Sequence, residues 1–328
     1  VLGRFHQNFP SNNLFLFVFA LLVHWPFFLH QPTILPHNQT GFFSRQLDSF
    51  FHSTVFTQSV THGLLVGTMI GAVALLMNQL LLEHRMFLRS NHLGGLTVIL
   101  FSGLMPMGVE FNETLVTTTL IALIATQLAR LHNHPSPKST LFNIGLMLGL
   151  AGMIQSATLI FVIPAYISIS LARPFRLAEW LLFGLGLIVP FYFLAALDYL
   201  TGGLFLMETP RLFFRVPSFF EKSDTLLLAI LPILFAITGF MLINRHINKL
   251  LIQARKNWSL LFLFGLTSLS LPFFLNAPDQ ESLYFILPFL SVIASAFFYF
   301  IKPLWLVYCV QLLLLVMGWG HALFPNWL

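Results

Sequence analysis

The sequence predicts an all-α integral membrane protein with about eleven transmembrane helices, several short and hairpin-paired, in a single polytopic domain over residues 1–328. Three observations predict this. Hydrophobic residues make up 57% of the chain and charged residues only 8%, against about 25% charged in a soluble domain. So few charges cannot coat a water-facing surface, so the apolar residues must face lipid. Long apolar runs recur along the chain. The basic residues sit in short loops between those runs, as orientation signals do.

The runs follow in order. Residues 14–28 form the first. A polar stretch, 31–62, carries Pro32, Pro36, Asn38 and Asp48, then Phe50, Phe51, Val55 and Phe56. Its second half reads as an amphipathic segment on the membrane surface. Residues 63–82 are the second span, closed by Glu83-His84-Arg85. Residues 96–107 rise to a polar turn holding Glu110 and Glu113, and 114–128 return to Arg130. The apolar run 142–172 is too long for one straight span, and Gln155-Ser156 near its middle predicts two short helices with a turn. Residues 180–197 span again.

A second long polar region, 198–224, interleaves Glu208, Arg211, Arg215, Glu221 and Lys222 with Leu212, Phe213, Phe214, Phe219 and Phe220. It predicts another interfacial helix. Residues 226–243 span, 245–256 form a basic loop, and 260–275 and 283–300 flank a turn with Asp279 and Glu281. Residues 304–317 are the last span, with Trp319 and Trp327 placed to anchor it among headgroups.

With the N-terminus placed inside, twelve of the sixteen Lys and Arg residues fall on one side. They are Arg4, Arg85, Arg89, Arg130, Lys138, Arg173, Arg176, Arg245, Lys249, Arg255, Lys256 and Lys302. Arg45, Arg211, Arg215 and Lys222 fall on the other. This is the bias the positive-inside rule predicts. It accounts for the net charge of +5 without nucleic acid, for which no phosphate-neutralising patch is present. The lone cysteine, Cys309, can form neither an internal disulfide nor a CxxC site and reads as a packing residue.

Residues 96–128, 142–172 and 260–300 each read as an apolar hairpin with an outside polar turn. The last two share an apolar-Pro-aromatic step, at Ile163-Pro164-Ala165-Tyr166 and Leu287-Pro288-Phe289. Any membrane hairpin needs a polar turn; alternatively, the three are a divergent repeated unit.

Phe142-Asn143-Ile144-Gly145-Leu146-Met147-Leu148-Gly149-Leu150-Ala151, then Ala172-Arg173-Pro174-Phe175-Arg176-Leu177-Ala178-Glu179-Trp180, then Gly184, Gly186 and Pro190-Phe191-Tyr192 resemble an uncharacterised Bacteroidota polytopic inner-membrane family, a domain of unknown function. The segment 276–300 fits the same family. More distantly, the GLxxGLA-type helix and the long first outside loop are similar to the GT-C superfamily of membrane glycosyltransferases. That resemblance implies sugar transfer from a polyprenyl-phosphate donor in cell-envelope glycan assembly, with a catalytic carboxylate from the first outside loop. Asp48 is the acid of that loop. It stands in Leu47-Asp48-Ser49-Phe50, where GT-C enzymes often carry an acidic pair or an aromatic-acid step.

The chemistry then needs a carboxylate as base or positioning group and cations to hold a lipid phosphate. Asp48 and Glu110 are the catalytic candidates. Glu113, Arg211 and Arg215 are the substrate-binding candidates, the two arginines being spaced to share one helix face. The plainer reading makes Asp48 a solvated loop acid and the arginines headgroup contacts. His24, within the first run, is expected to be neutral and hydrogen-bonded to a neighbouring helix. His132-Asn133-His134 reads as a solvated loop rather than a two-nitrogen metal site.

No cofactor is implied. Expected partners are membrane lipid, a polyprenyl-phosphate sugar and other envelope membrane proteins. The expected location is the bacterial inner membrane, N-terminus cytoplasmic. A non-catalytic subunit of an envelope complex and a small-molecule transporter are the alternative functions.

Overall fold

The structure is a computed structural model describing residues 5, 11–25, 59–104, 113–133, 137–202, 223–274 and 279–323. Among these residues there is no β-strand, and eleven α-helices are present. They are α1 (Asn12–Val23), α2 (Ser59–Glu83), α3 (Leu93–Gly103), α4 (Glu113–Arg130), α5 (Pro137–Ile154), α6 (Val162–Ala172), α7 (Leu177–Leu200), α8 (Ser223–His246), α9 (Ile252–Ser270), α10 (Asp279–Phe300) and α11 (Leu304–Leu323). Helix is the expected answer for these runs, because in hydrocarbon each backbone N–H and C=O must be satisfied within its own segment.

Four stretches are long and apolar enough to cross a membrane: Gly63–Glu83, Leu177–Leu200, Ile230–Lys249 and Leu283–Phe300. The 24 residues of α7 rise about 36 Å, more than the roughly 30 Å of hydrocarbon in a bilayer. The 11 residues of α3 rise only about 16 Å. Helix α7 exposes Leu181, Leu185, Ile188, Phe193 and Leu197. A soluble surface does not carry so continuous an apolar face, and the arrangement is consistent with a membrane protein.

Each helix lies on one of the predicted runs, but the ends differ. Helix α1 stops at Val23, and residues 26–28 of the first run lie outside the described residues. The predicted basic loop is largely helical: α8 continues to His246, a 3-10 turn covers Ile247–Lys249, and α9 begins at Ile252. Long basic side chains reach water from a helix end by snorkelling, so a cluster of Arg and Lys does not require a loop. The two predicted interfacial segments lie outside the described residues, apart from their helical edges.

The hairpin expectation needs correction. Helices α9 and α10 do pack side by side, but α3 and α4 do not pack extensively on each other, nor do α5 and α6. Glycines explain the actual partners. A Cβ at Gly145 would collide with the Phe183 carbonyl, one at Gly149 with Leu187 and Pro190, and one at Gly186 with the Phe142 carbonyl. Reciprocal small residues thus let the α5 and α7 backbones touch, a small-xxx-small seam. The contacts ascend together in sequence, so α5 and α7 run parallel. Gly239 plays the same part between α8 and Ile293 of α10, and Gly318 between α11 and Gly103 of α3.

The two proline steps also differ locally. Pro164 sits in the first turn of α6 and Pro288 inside α10. Proline is tolerated at the first for lack of an N–H demand and interrupts the ladder at the second.

Helix α10 is the axis of the bundle. It is buried along nearly its whole described length and packs against α8, α3, α9, α4 and α2. Its apolar sequence on every face is what a central helix requires. Phe289 meets Phe161 and Phe264, which stack at 5.5 Å.

The helix directions define two ends. At one, Asn12 meets His92, Glu83 meets Arg130, His84 meets Gln253, and Tyr299 meets Arg89. All eleven described Lys and Arg residues lie at this basic end. At the far end, the Trp319 indole N–H donates to the Val23 carbonyl at 3.2 Å and Gly103 approaches Val23.

Candidate functional site

Asp48, Glu110, Arg211 and Arg215 lie outside the described residues. The helix ends that flank them do not. Trp25 and Ser59 bracket Asp48, Leu104 and Glu113 bracket Glu110, and Gly202 and Ser223 bracket the two arginines. All six positions lie at the far end. Val23 and Gly103 touch there, α7 runs parallel to α5, and α8 runs parallel to α10. Glu113 is described: it is buried and is the first residue of α4. A carboxylate in a helix's first turn is favoured by the partial positive charge of the free N–H groups.

Around Glu113 the structure gathers neutral hydrogen-bonding groups. The Thr117 hydroxyl is 2.8 Å from the Glu113 carbonyl, 3.1 Å from that of Thr114 and 3.1 Å from Oε1 of Gln155. Gln155 occupies the break after α5 with extended backbone. Its carbonyl accepts from the N–H and hydroxyl of Thr158 at 3.0 and 2.7 Å. The turns holding Glu113 and Gln155, read separately in the sequence, are therefore one buried cluster. Within it the Gln155 amide nitrogen and the hydroxyls of Thr114 and Thr118 have no hydrogen-bond partner among the described residues. Buried polar groups are normally paired, so this cluster has donors and acceptors to spare.

Sequence reasoning missed three features here. Thr114, Thr117 and Thr118 form a polar stripe on α4, and a threonine run inside an apolar segment was the available signal. Asp198, two turns beyond Phe191 on α7, leaves Oδ1 buried without a partner among the described residues. Asn78 on α2 and Gln311 on α11 are fully buried with both side-chain polar atoms unpaired among the described residues. Each lies in an apolar run, Asn78 beside the exposed Gln79, and only packing shows which amide is buried.

The expectation for His24 is corrected in part. Its Nδ1 lies 2.8 Å from the Ala20 carbonyl of its own helix rather than a neighbouring one. Its Cβ faces Gly67. His132 is exposed, with Nδ1 3.1 Å from the Ala172 carbonyl; His134 lies outside the described residues. Cys309 is exposed on α11. A cavity of about 30 Å³ opens between α3, α8 and α10, lined by Phe101, Pro232, Ile233, Leu283, Ile286, Leu287 and Leu290. It has the volume of about one water and an apolar wall, so it stays dry.

At the basic end, side chains fasten helices and their flanking turns together. Arg130 donates through Nε and Nη2 to one Glu83 oxygen at 3.0 and 2.8 Å. Buried Glu179 lies 3.5 Å from Arg173 and 3.8 Å from Arg176. The His84 pKa is lowered from 6.5 chiefly by burial; Glu83 opposes that shift and Arg130 adds to it. Neutral His84 is also what the geometry needs, since the Gln253 amide nitrogen lies 3.2 Å from Nδ1 and donates to a ring nitrogen carrying no proton.

No protein-family model matches this chain, and no curated protein matches it. Chemically, the described far end presents carboxylates, hydroxyls and an amide. It contains no cation among the described residues. Such a lining suits hydroxyl groups better than phosphate.

Proposed function

We propose that this chain is a GT-C-like protein of the bacterial inner membrane, N-terminus cytoplasmic, that transfers sugar from a polyprenyl-phosphate donor during envelope glycan assembly. The observation that carries the reading is charge segregation: the far end has acids and hydroxyl-binding groups but no described cation. A lipid phosphate there needs cations, and the adjoining segment 203–222 supplies Arg211 and Arg215. Asp48 acts as acid/base or positions the acceptor, with Glu110 as second carboxylate. Glu113 and its threonine–glutamine cluster receive the sugar hydroxyls.

Asp48→Asn tests this. The expected outcome is loss of the envelope glycan with the protein present at its normal level. Unchanged glycan removes Asp48 from the chemistry.

A second reading is a non-catalytic subunit of an envelope complex. It is favoured by the aromatic-rich sequence segments 50–56 and 213–220, whose composition suits burial against another chain. Stoichiometric co-purification of a partner with unchanged glycan in the Asp48→Asn strain supports that reading.

A further inference from the structure

The basic end contains one turn that is built more firmly than a loop between helices needs to be. Helix α2 ends in a Schellman arrangement: the Arg85 N–H bonds to the Leu82 carbonyl at 3.2 Å and the Met86 N–H to the Leu81 carbonyl at 3.1 Å. The residue in the left-handed position is Arg85, at φ 47. Glycine is the usual occupant there, because a Cβ is strained. A strained non-glycine residue is a pointer to function when its surroundings hold it in place.

Here they do. The Trp258 indole N–H donates to the Met86 carbonyl at 3.1 Å. Phe87 packs on Trp258 at 5.6 Å and on Tyr299 at 4.6 Å. The Tyr299 hydroxyl accepts from the Arg89 N–H at 2.9 Å. The turn is thereby pinned between the start of α9 and the end of α10. That end leads, three residues past Tyr299, to Lys302. Arg85, Arg89 and Lys302 are all exposed and have no acidic partner among the described residues. The two acids of this end, Glu83 and Glu179, are already engaged with other arginines. Next to the three cations, Leu88, Leu304 and Trp305 are exposed, Trp305 to 68%.

We infer that the Arg85–Arg89 turn and Lys302–Trp305 form a binding site for the headgroup of an anionic phospholipid. Three unpaired cations on a rigid frame meet the phosphate, while Leu88 and Trp305 enter the acyl boundary. Cations beside exposed tryptophan and leucine match the membrane interface. Free phosphate uses only the first half of that arrangement. The site is at the opposite end from the proposed sugar transfer and is independent of it.

The full chain, purified in phosphatidylcholine mixed micelles, is titrated with phosphatidylglycerol while its melting temperature is followed. The wild type gains stability, and the gain shrinks in high salt. R89Q/K302Q leaves the Arg85 turn intact. It needs roughly 25-fold more phosphatidylglycerol for half the gain, at about fivefold per cation. Adding Arg85→Asn, which tolerates the left-handed backbone, abolishes the gain. Should that triple variant not melt cooperatively in phosphatidylcholine alone, the double variant carries the test. The charge-matched K138Q/R176Q, at the starts of α5 and α7, titrates as wild type. Inorganic phosphate gives no comparable gain. The inference is overturned if the wild type gains nothing, if R89Q/K302Q titrates as wild type, if K138Q/R176Q loses as much, or if inorganic phosphate reproduces the whole effect.

Discussion

The two ends of this bundle solve the problem of polar groups beside an apolar interior in opposite ways. At the basic end, the lysines and arginines lie at the helix ends and much of the buried polar surface is engaged in pairs between side chains and neighbouring segments: Trp258 on Met86, Gln253 on His84, Arg173 on Glu179, with His84 Nε2 and Asn257 Nδ2 left over among the described residues. At the far end, beside the carboxylates of Glu113 and Asp198, neutral hydroxyls and an amide have capacity left over, as at Gln155, Thr114 and Thr118. The difference teaches where stability and function reside. An end cross-linked by such pairs acts as a frame. An end with surplus donors and acceptors carries a desolvation cost that makes sense when something else completes it.

The largest test of that contrast is at the frame. Trp258 is fully buried, stacks on Phe262 at 5.9 Å, meets Phe87 edge-on, and holds the Met86 carbonyl. Trp258→Ala is expected to cost about 3–5 kcal/mol, read by denaturant or thermal unfolding in micelles. A loss under about 1 kcal/mol would mean that the basic end does not frame the bundle, and the comparison between the ends fails.

A smaller effect distinguishes the ends by pH. His84 is held neutral because burial lowers its pKa from 6.5. The unfolded chain takes up a proton near pH 6.5 while the folded one does not. Folding is therefore unaffected above that pH and weakens as pH falls below it, until the folded pKa is passed. Melting temperature should drop as pH falls below about 6.5, and His84→Gln should flatten part of that drop. An identical pH profile in the variant shows that His84 is not the group responsible.

The helices were legible in the sequence because lipid imposes one answer on an apolar run of sufficient length. The one-sidedness of the cations was legible for the same kind of reason, since Arg85, Arg130, Arg173, Arg245 and Lys302 all punctuate runs. Partner choice was not. Gly145, Gly149 and Gly186 were visible as a motif, but the sequence does not say that they seat α5 against α7 rather than against α6. Nor could it say that Thr117 and Gln155, thirty-eight positions apart, share a hydrogen bond, because that depends on which hairpin arms separate. Of the candidate site, Glu113 alone is placed, as the first residue of α4 rather than in the turn before it. Asp198 went unnoticed because an acid at the end of a run reads as the start of a loop.

The smallest expected effect is the most informative. Gln155 is fully buried, its Oε1 accepts from Thr117, and its amide nitrogen has no partner among the described residues. In Gln155→Leu the Thr117 hydroxyl keeps the Glu113 carbonyl at 2.8 Å, so one hydrogen bond of about 1 kcal/mol is lost. Removal of an unpaired buried amide returns a similar amount, and replacing polar by apolar groups of like shape is often neutral. The melting temperature should therefore hardly move, while envelope glycan formation falls if the amide serves a sugar hydroxyl. A loss above about 2 kcal/mol would show instead that the amide already has a structural partner. The far end would then be paired like the basic end, and the surplus on which its functional reading rests would be gone.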